Sequence, residues 1–180
     1  MRRTMVALVV MFSLVSVPAF AERLDNYAAV KLGVYSPRSY FLKGEGFSNG
    51  FDGELAFGHY FIRNLACEVG LGYFKTATNG SDQLTVYPLT VTGKGIYPLG
   101  KAELYAGAGI GAYFAKVELG INSYNDTALG WHLLTGGNFN VMPTVFVGAE
   151  IKYLWVKPSF GSMESNLNGM IATANLGFRF

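Results

Sequence analysis

Few side chains in this chain carry the chemistry of a catalyst. There are two histidines, His59 and His132, and one cysteine, Cys67. A histidine works as a general base only with a nucleophile and an orienting acid in reach. His132 lies in "WHLLTG", with Glu54 and Glu150 as candidate neighbours; Leu134 occupies the position two beyond it, and Thr135 falls on the other side of an extended chain. His59 lies near the end of an alternating segment and reads as an interfacial residue. A single cysteine excludes an internal disulfide, no zinc-type spacing accompanies it, and it reads as a small hydrophobe. "GAGIGAYF" sets Gly107, Gly109 and Gly111 at alternate positions. A dinucleotide loop needs G-x-G-x-x-G opening a helix, whereas this run continues as strand and makes room for bulky groups opposite. We therefore assign no catalytic residue, no cofactor-binding residue and no metal ligand.

The remaining ionisable groups follow a pattern of their own. Lys31, Lys94, Lys152 and Arg179, with Asp52, Glu54, Glu68, Glu103 and Glu150, all fall on one side of segments that alternate with period two. The other side of those segments carries Leu32, Leu55, Val69, Val91, Ile110, Trp131, Ile151, Trp155 and Phe178, and no charge. Four cations against five anions on one face is the balance expected of a paired, buried set.

Eight such segments are predicted: 26–35, 50–61, 65–75, 84–97, 103–116, 128–141, 145–156 and 169–180. Short links around "IRN", "PLGKA" and "MPT" alternate with longer ones: "SPRSYFLKGEGFSN", "TATNGSDQ", "VELGINSYND" and "KPSFGSMESNLN". Hydrophobic residues are 51 % and charged ones 14 % of the chain, yet past the N-terminus no apolar run is long enough for a spanning helix. Strands that turn one greasy face to lipid resolve that conflict. An eight-stranded lumen is only wide enough for side chains. It suits a glycine-rich face with a few long charges, and it has no space for two tryptophans and many phenylalanines. The aromatics sort to the strand ends. Phe51, Tyr73, Tyr87, Phe114, Trp131 and Trp155 lie towards the long links, and Phe61, Tyr97, Phe139, Phe178 and Phe180 towards the short ones, as two interfacial belts would. Pro88 inside the fourth segment cannot donate to a ladder and predicts a bulge or a strand margin.

The ends complete the expectation. "MRRTMVALVVMFSLVSVPAFA" has the layout of a secretory signal peptide cut after Ala21, leaving residues 22–180 as one domain. Arg2 and Arg3 lie in that leader, so the remainder carries twelve cations and twelve anions, a balance that points away from nucleic acid. The chain stops on "IATANLGFRF", with Ala172, Ala174, Leu176, Phe178 and Phe180 on one face. Such a strand closes a sheet by pairing on both sides.

"FDGELAFGHYFIRNLACEVGLGYF", "VTGKGIYPLGKAELYAGAGIGAYF" and the terminal strand resemble the outer-membrane β-barrel domain superfamily, in particular its small eight-stranded barrels of the OmpA/OmpX type. The resemblance implies an all-β fold, an eight-stranded antiparallel transmembrane β-barrel with short periplasmic turns and longer extracellular loops. It also implies that the barrel-assembly machinery reads the last strand through Phe180. Some eight-stranded relatives modify lipid A with a lipid-facing His-x-Ser pair, which "WHLLTG" does not match. The expected role is an integral outer-membrane barrel, structural or surface-binding, without catalysis and without cofactors. A lipid-A-modifying enzyme and a narrow transporter of small apolar molecules are the alternatives. Expected partners are outer-membrane lipid and lipopolysaccharide; partner binding is expected in the loops (Arg38, Tyr40, Phe41, Lys43, Glu45 and Phe47 in the first; Tyr124, Asn125 and Asp126 in the third; Phe160, Met163 and Glu164 in the fourth), the aromatic first loop meeting a host surface or lipopolysaccharide or dipping its rings into the headgroups, and the barrel is expected to be a monomer.

Overall fold

The computed structural model describes residues 25–38, 48–78, 83–119, 122–157, 159–160, 163–164 and 166–180. The leader, most of the first loop and parts of the second, third and fourth lie outside these residues. Eight long strands form the wall: β1 Asn26–Pro37, β2 Gly50–Ile62, β3 Leu65–Ala77, β4 Gln83–Leu99, β5 Ala102–Leu119, β6 Asn122–Asn140, β7 Val145–Val156 and β10 Gly169–Arg179. A two-residue pair, β8 Ser159–Phe160 and β9 Met163–Glu164, lies between β7 and β10. Each wall strand pairs antiparallel with its chain neighbours, and β1 pairs with β10, so the sheet is a closed barrel.

Closure runs to the last residue. Asn26 N donates to Phe180 O at 3.1 Å and Phe180 N to Asn26 O at 2.9 Å. A spanning segment in hydrocarbon must satisfy every backbone polar group internally, and a closed ladder does so. Alternation then fixes the faces. Val30, Leu32 and Val34 are exposed while Tyr27, Lys31 and Tyr35 are buried, and the same two-beat pattern runs round the wall.

The two-residue connection at Gly100 and Lys101 turns at Gly100, whose φ of 66° suits glycine. At the opposite end, the predicted third loop is mostly strand. β5 runs on to Leu119 and β6 begins at Asn122, so Tyr124, Asn125 and Asp126 pair with Val117, Lys116 and Ala115. Five residues on each strand thus extend past Phe114, about 17 Å of ladder at the usual rise. The in–out alternation continues on β5, with Val117 buried inward, but the outward positions there are the charged Lys116 and Glu118.

Pro88 makes no bulge. The β3–β4 ladder lapses at Gly72 and Tyr73 and resumes at Phe74↔Val86 in the same register. The Pro88 ring points inward over Gly72, where a Cβ would meet Pro88 Cγ at 2.8 Å. A pyrrolidine facing a residue without a side chain needs no extra residue in the strand. The one register shift on β2–β3 falls between Tyr60 and Ile62, at the short turn.

The interior is packed in layers. At the loop end Tyr35, Phe74, Val86, Tyr113, Leu154 and Leu167 belong to one buried apolar cluster, with Tyr35 and Phe74 stacked at 4.5 Å. Tyr35 donates its hydroxyl to Leu167 O at 3.0 Å, which draws the segment before β10 over the barrel mouth. Towards the turns lie Tyr27, Phe146, Ile96, Tyr105 and Leu134. Gly177 lies against the Phe146 ring. Gly177→Leu must displace that ring, so we expect a loss of about 1–3 kcal/mol, typical of overpacking, read as an earlier midpoint in urea unfolding of the vesicle-folded protein.

Candidate functional site: a buried ion network in the lumen

Between the two apolar layers lies the polar centre of the molecule. Lys31 on β1, Glu54 on β2, Glu68 on β3, Lys94 on β4, and Glu150 and Lys152 on β7 project inward from five strands, all buried. Lys31 Nζ sits 2.8 Å from Glu54 Oε1, 2.8 Å from Glu68 Oε1 and 3.1 Å from Glu150 Oε1. Three carboxylates thus surround one ammonium, which donates to Glu68 and Glu150 and pairs by charge with Glu54. Lys94 Nζ reaches Glu68 Oε2 at 2.7 Å and Glu150 Oε2 at 3.2 Å, and Lys152 Nζ reaches Glu54 Oε2 at 2.5 Å. Three lysines thus neutralise three glutamates.

Neutral groups fill the remaining acceptor sites. Tyr27 donates to Glu68 Oε2 at 2.7 Å, and Tyr105 to Glu150 Oε2 at 3.1 Å. Asn175 donates to the Tyr105 hydroxyl at 3.3 Å. The Lys94 ammonium also lies 4.6 Å from the centre of the Tyr105 ring. Asp52, equally buried near the loop end, has no cation within 4 Å among the described residues. Gly107 leaves room for Lys94 and Leu134, Gly109 for His132 and Gly111 for Tyr113.

A second ionic contact closes the turn end. Arg179, the penultimate residue, holds Glu103 at 2.7 Å and Asn140 at 2.7 Å, with its guanidinium 5.1 Å from the Phe146 ring centre. The space between this contact and the central network, lined by Tyr27, Lys31, Glu68, Lys94 and Tyr105 among others, amounts to about 10 Å³. That is the volume of about one water centre.

The histidines stay apart from the network. His132 is fully buried, its Nε2 lies 2.8 Å from Thr92 Oγ1, and its Nδ1 has no protein partner. Glu54 and Glu150, its candidate partners, are occupied by lysines. His59 stands at the turn end with Nδ1 2.9 Å from Asn26 Oδ1 and its ring edge-on to Phe61 at 5.2 Å. Its neighbour across the ladder is Cys67, which is half-buried. Neither histidine reaches a carboxylate among the described residues, and no grouping of three His, Cys, Asp or Glu there is suited to a metal ion.

The outer face carries the apolar residues expected of it. Leu32, Leu55, Leu71, Ile110, Leu129, Ile151 and Leu176 are all exposed. Trp131 and Trp155, facing partners on β6 and β7, stack at 3.9 Å towards the loop end. Phe57, Phe178 and Phe180 cluster towards the turn end. Sequence reasoning named the charged residues; it missed Tyr27, Tyr105 and Asn175, and the apolar cap, because only the register shows which aromatics point inward.

The profile of a family described as "Outer membrane protein beta-barrel domain" matches residues 7–180. Among solved structures the chain is similar to Neisserial surface protein A (NspA), at 20 % identity and a TM-score of 0.73, over 88 % of this chain and 98 % of that one. It is similar to OprG from Pseudomonas aeruginosa, at 10 % identity and a TM-score of 0.66, over 87 % and 96 %. It is also similar to Ail, the attachment invasion locus protein of Yersinia pestis, at 14 % identity and a TM-score of 0.56, over 87 % and 97 %. Among curated proteins no sequence matches it significantly.

Removing Lys31 leaves parts of three buried carboxylates without their cation. Lys31→Met is expected to destabilise the barrel by about 3–5 kcal/mol, the range for breaking a buried pair from one side. Urea titration of the folded barrel, followed by tryptophan emission and gel mobility, measures it; a shift no larger than that of an exposed lysine would count against the network.

Proposed function

The chain belongs to the outer membrane β-barrel domain family, and from that premise we propose that it is a closed outer-membrane barrel that serves a structural or surface-binding role without catalysing a reaction. The observation that carries this reading is the filled lumen. An apolar cap, a neutralised ion network and the Arg179–Glu103 contact follow one another along the axis. A solute path would require breaking all three. Catalysis on lipid would require an imidazole that meets its substrate with an acid to orient it, whereas His132 is sealed inside the wall and His59 has Asn26 and Phe61 beside it and no carboxylate among the described residues. The long β5–β6 hairpin beyond the upper aromatic belt offers the surface for binding. The names of NspA and Ail speak of a surface and an attachment protein, which accords with such a role.

Two further parts of the reading concern biogenesis. We take residues 1–21 as a leader removed on export, and the terminal strand with Phe180 as the segment read by the assembly machinery. Phe180 makes the last ladder contact with Asn26 and packs against Phe57. Phe180→Ser is expected to lower the amount of heat-modifiable barrel in outer-membrane fractions several-fold while leaving synthesis unchanged. Equal assembly of the variant would remove this role.

Planar bilayers containing the purified protein test the central proposal. We expect no unit conductance above background and an unchanged lipid A mass profile in cells with and without the gene. Discrete openings would favour the transporter, and a new lipid A species would favour the enzyme.

A further inference from the structure

The lipid-facing side of the wall is charge-free until the loop end, where two lysines, Lys75 and Lys116, return close together on one sector of the barrel. The register sets Lys75, Thr85, Lys116 and Asn125 in one transverse row across β3, β4, β5 and β6. All four lie on the outward face. Two residues closer to the turns is a parallel row, Tyr73, Tyr87, Phe114 and Thr127, of which the first two rings touch at 5.3 Å between centroids. Two residues of tilted strand correspond to about 5 Å along the membrane normal. The ammonium groups therefore stand just above the aromatic belt, at the depth of lipid headgroups.

Lys75 and Lys116 are two strand spacings apart, about 10 Å between Cα atoms, with the Thr85 hydroxyl between them. Their side chains are long enough to converge on one anion or to hold two adjacent ones. Glu118 is the sole carboxylate beside them on this face among the described residues. It binds Lys116 at 2.6 Å in an exposed pair, with 47 % and 43 % of the two side chains open. An exposed pair of this kind is worth little and can exchange for a better anion. Lys75 has no carboxylate within 4 Å among the described residues. An outer groove of about 480 Å³, lined by Gly50, Phe51, Tyr73, Lys75 and Thr76, opens next to the row and runs into the aromatic belt.

We propose that Lys75, Thr85 and Lys116, seated over Tyr73, Tyr87 and Phe114, form a docking site for a phosphate-bearing glycolipid of the outer leaflet. The phosphates meet the ammonium groups and the Thr85 hydroxyl, and an acyl chain lies along the groove against Phe51 and Tyr73. Charge complementarity selects the phosphate, and the adjoining aromatic floor selects a lipid over a soluble anion. The inference rests on the proposed surface-binding role and on the orientation that the family resemblance implies, with the loop end outside.

The test uses the full-length mature barrel purified from outer membranes and exchanged into nanodiscs, with diphosphoryl lipid A as probe. Native mass spectrometry reads how much lipid A stays on the protein. K75Q/K116Q is expected to reduce retention at least about tenfold, as loss of two charge-assisted contacts predicts, whereas K101Q at the turn end and K157Q on another sector leave it unchanged. E118Q is expected to raise it. Equal retention of dephosphorylated lipid A, or by K75Q/K116Q, would overturn the site, and full displacement by excess inorganic phosphate would make it a free-anion site instead. A C67S/K116C variant labelled in intact cells with a membrane-impermeant maleimide tests orientation separately. Labelling supports the outward loop end, and its absence with normal folding would overturn the orientation and the proposal with it.

Discussion

Hydrocarbon offers a peptide group no hydrogen-bond partner, and most of this structure follows from that constraint. Each backbone N–H and C=O in the membrane must be met by the chain itself, at a cost of several kcal/mol for any that is not. A sheet satisfies the requirement only when its first strand meets its last. Here β1 and β10 pair from Tyr27↔Arg179 to Pro37↔Gly169, and the terminal peptide bonds to Asn26.

Closure with eight strands leaves a narrow interior, and the interior then sets its own chemistry. The charges at the middle of the inner face are buried, where an ion is costly unless it is paired. Lys31 accordingly meets three carboxylates, and the tyrosines take up the oxygens left over. Replacing such a set with apolar groups of similar volume is often neutral or stabilising elsewhere. Its value here lies in fixing register. A one-residue slip of β1, β2, β3, β4 or β7 would turn its charges from the network into lipid.

The two faces were legible in the sequence because alternation is strict where one side meets lipid. Leu32 beside Lys31, Leu55 beside Glu54 and Ile151 beside Glu150 leave no doubt about the period. Above the belt the signal weakens. Tyr35, Phe74, Val86 and Leu154 are apolar yet point inward, so both faces are greasy there and the cap could not be distinguished. The extension of the β5–β6 hairpin beyond the predicted 103–116 and 128–141 is hidden for the complementary reason: Asn, Ser and Asp in "INSYND" read as loop, although pairing carries most of them as strand. Pro88 reads as a bulge or a strand margin because its missing donor is visible in sequence, while its partner Gly72 is identified only by register. Which lysine meets which glutamate likewise depends on pairings between strands far apart in the chain.

The claim beneath all of this is that the apolar side of the wall faces acyl chains. The protein's two tryptophans, Trp131 and Trp155, stack on that side and make a native reporter. In vesicles whose acyl chains carry bromine near the headgroup, their emission should be strongly quenched relative to unbrominated vesicles. Emission indifferent to bromine would place both rings away from lipid and contradict the account.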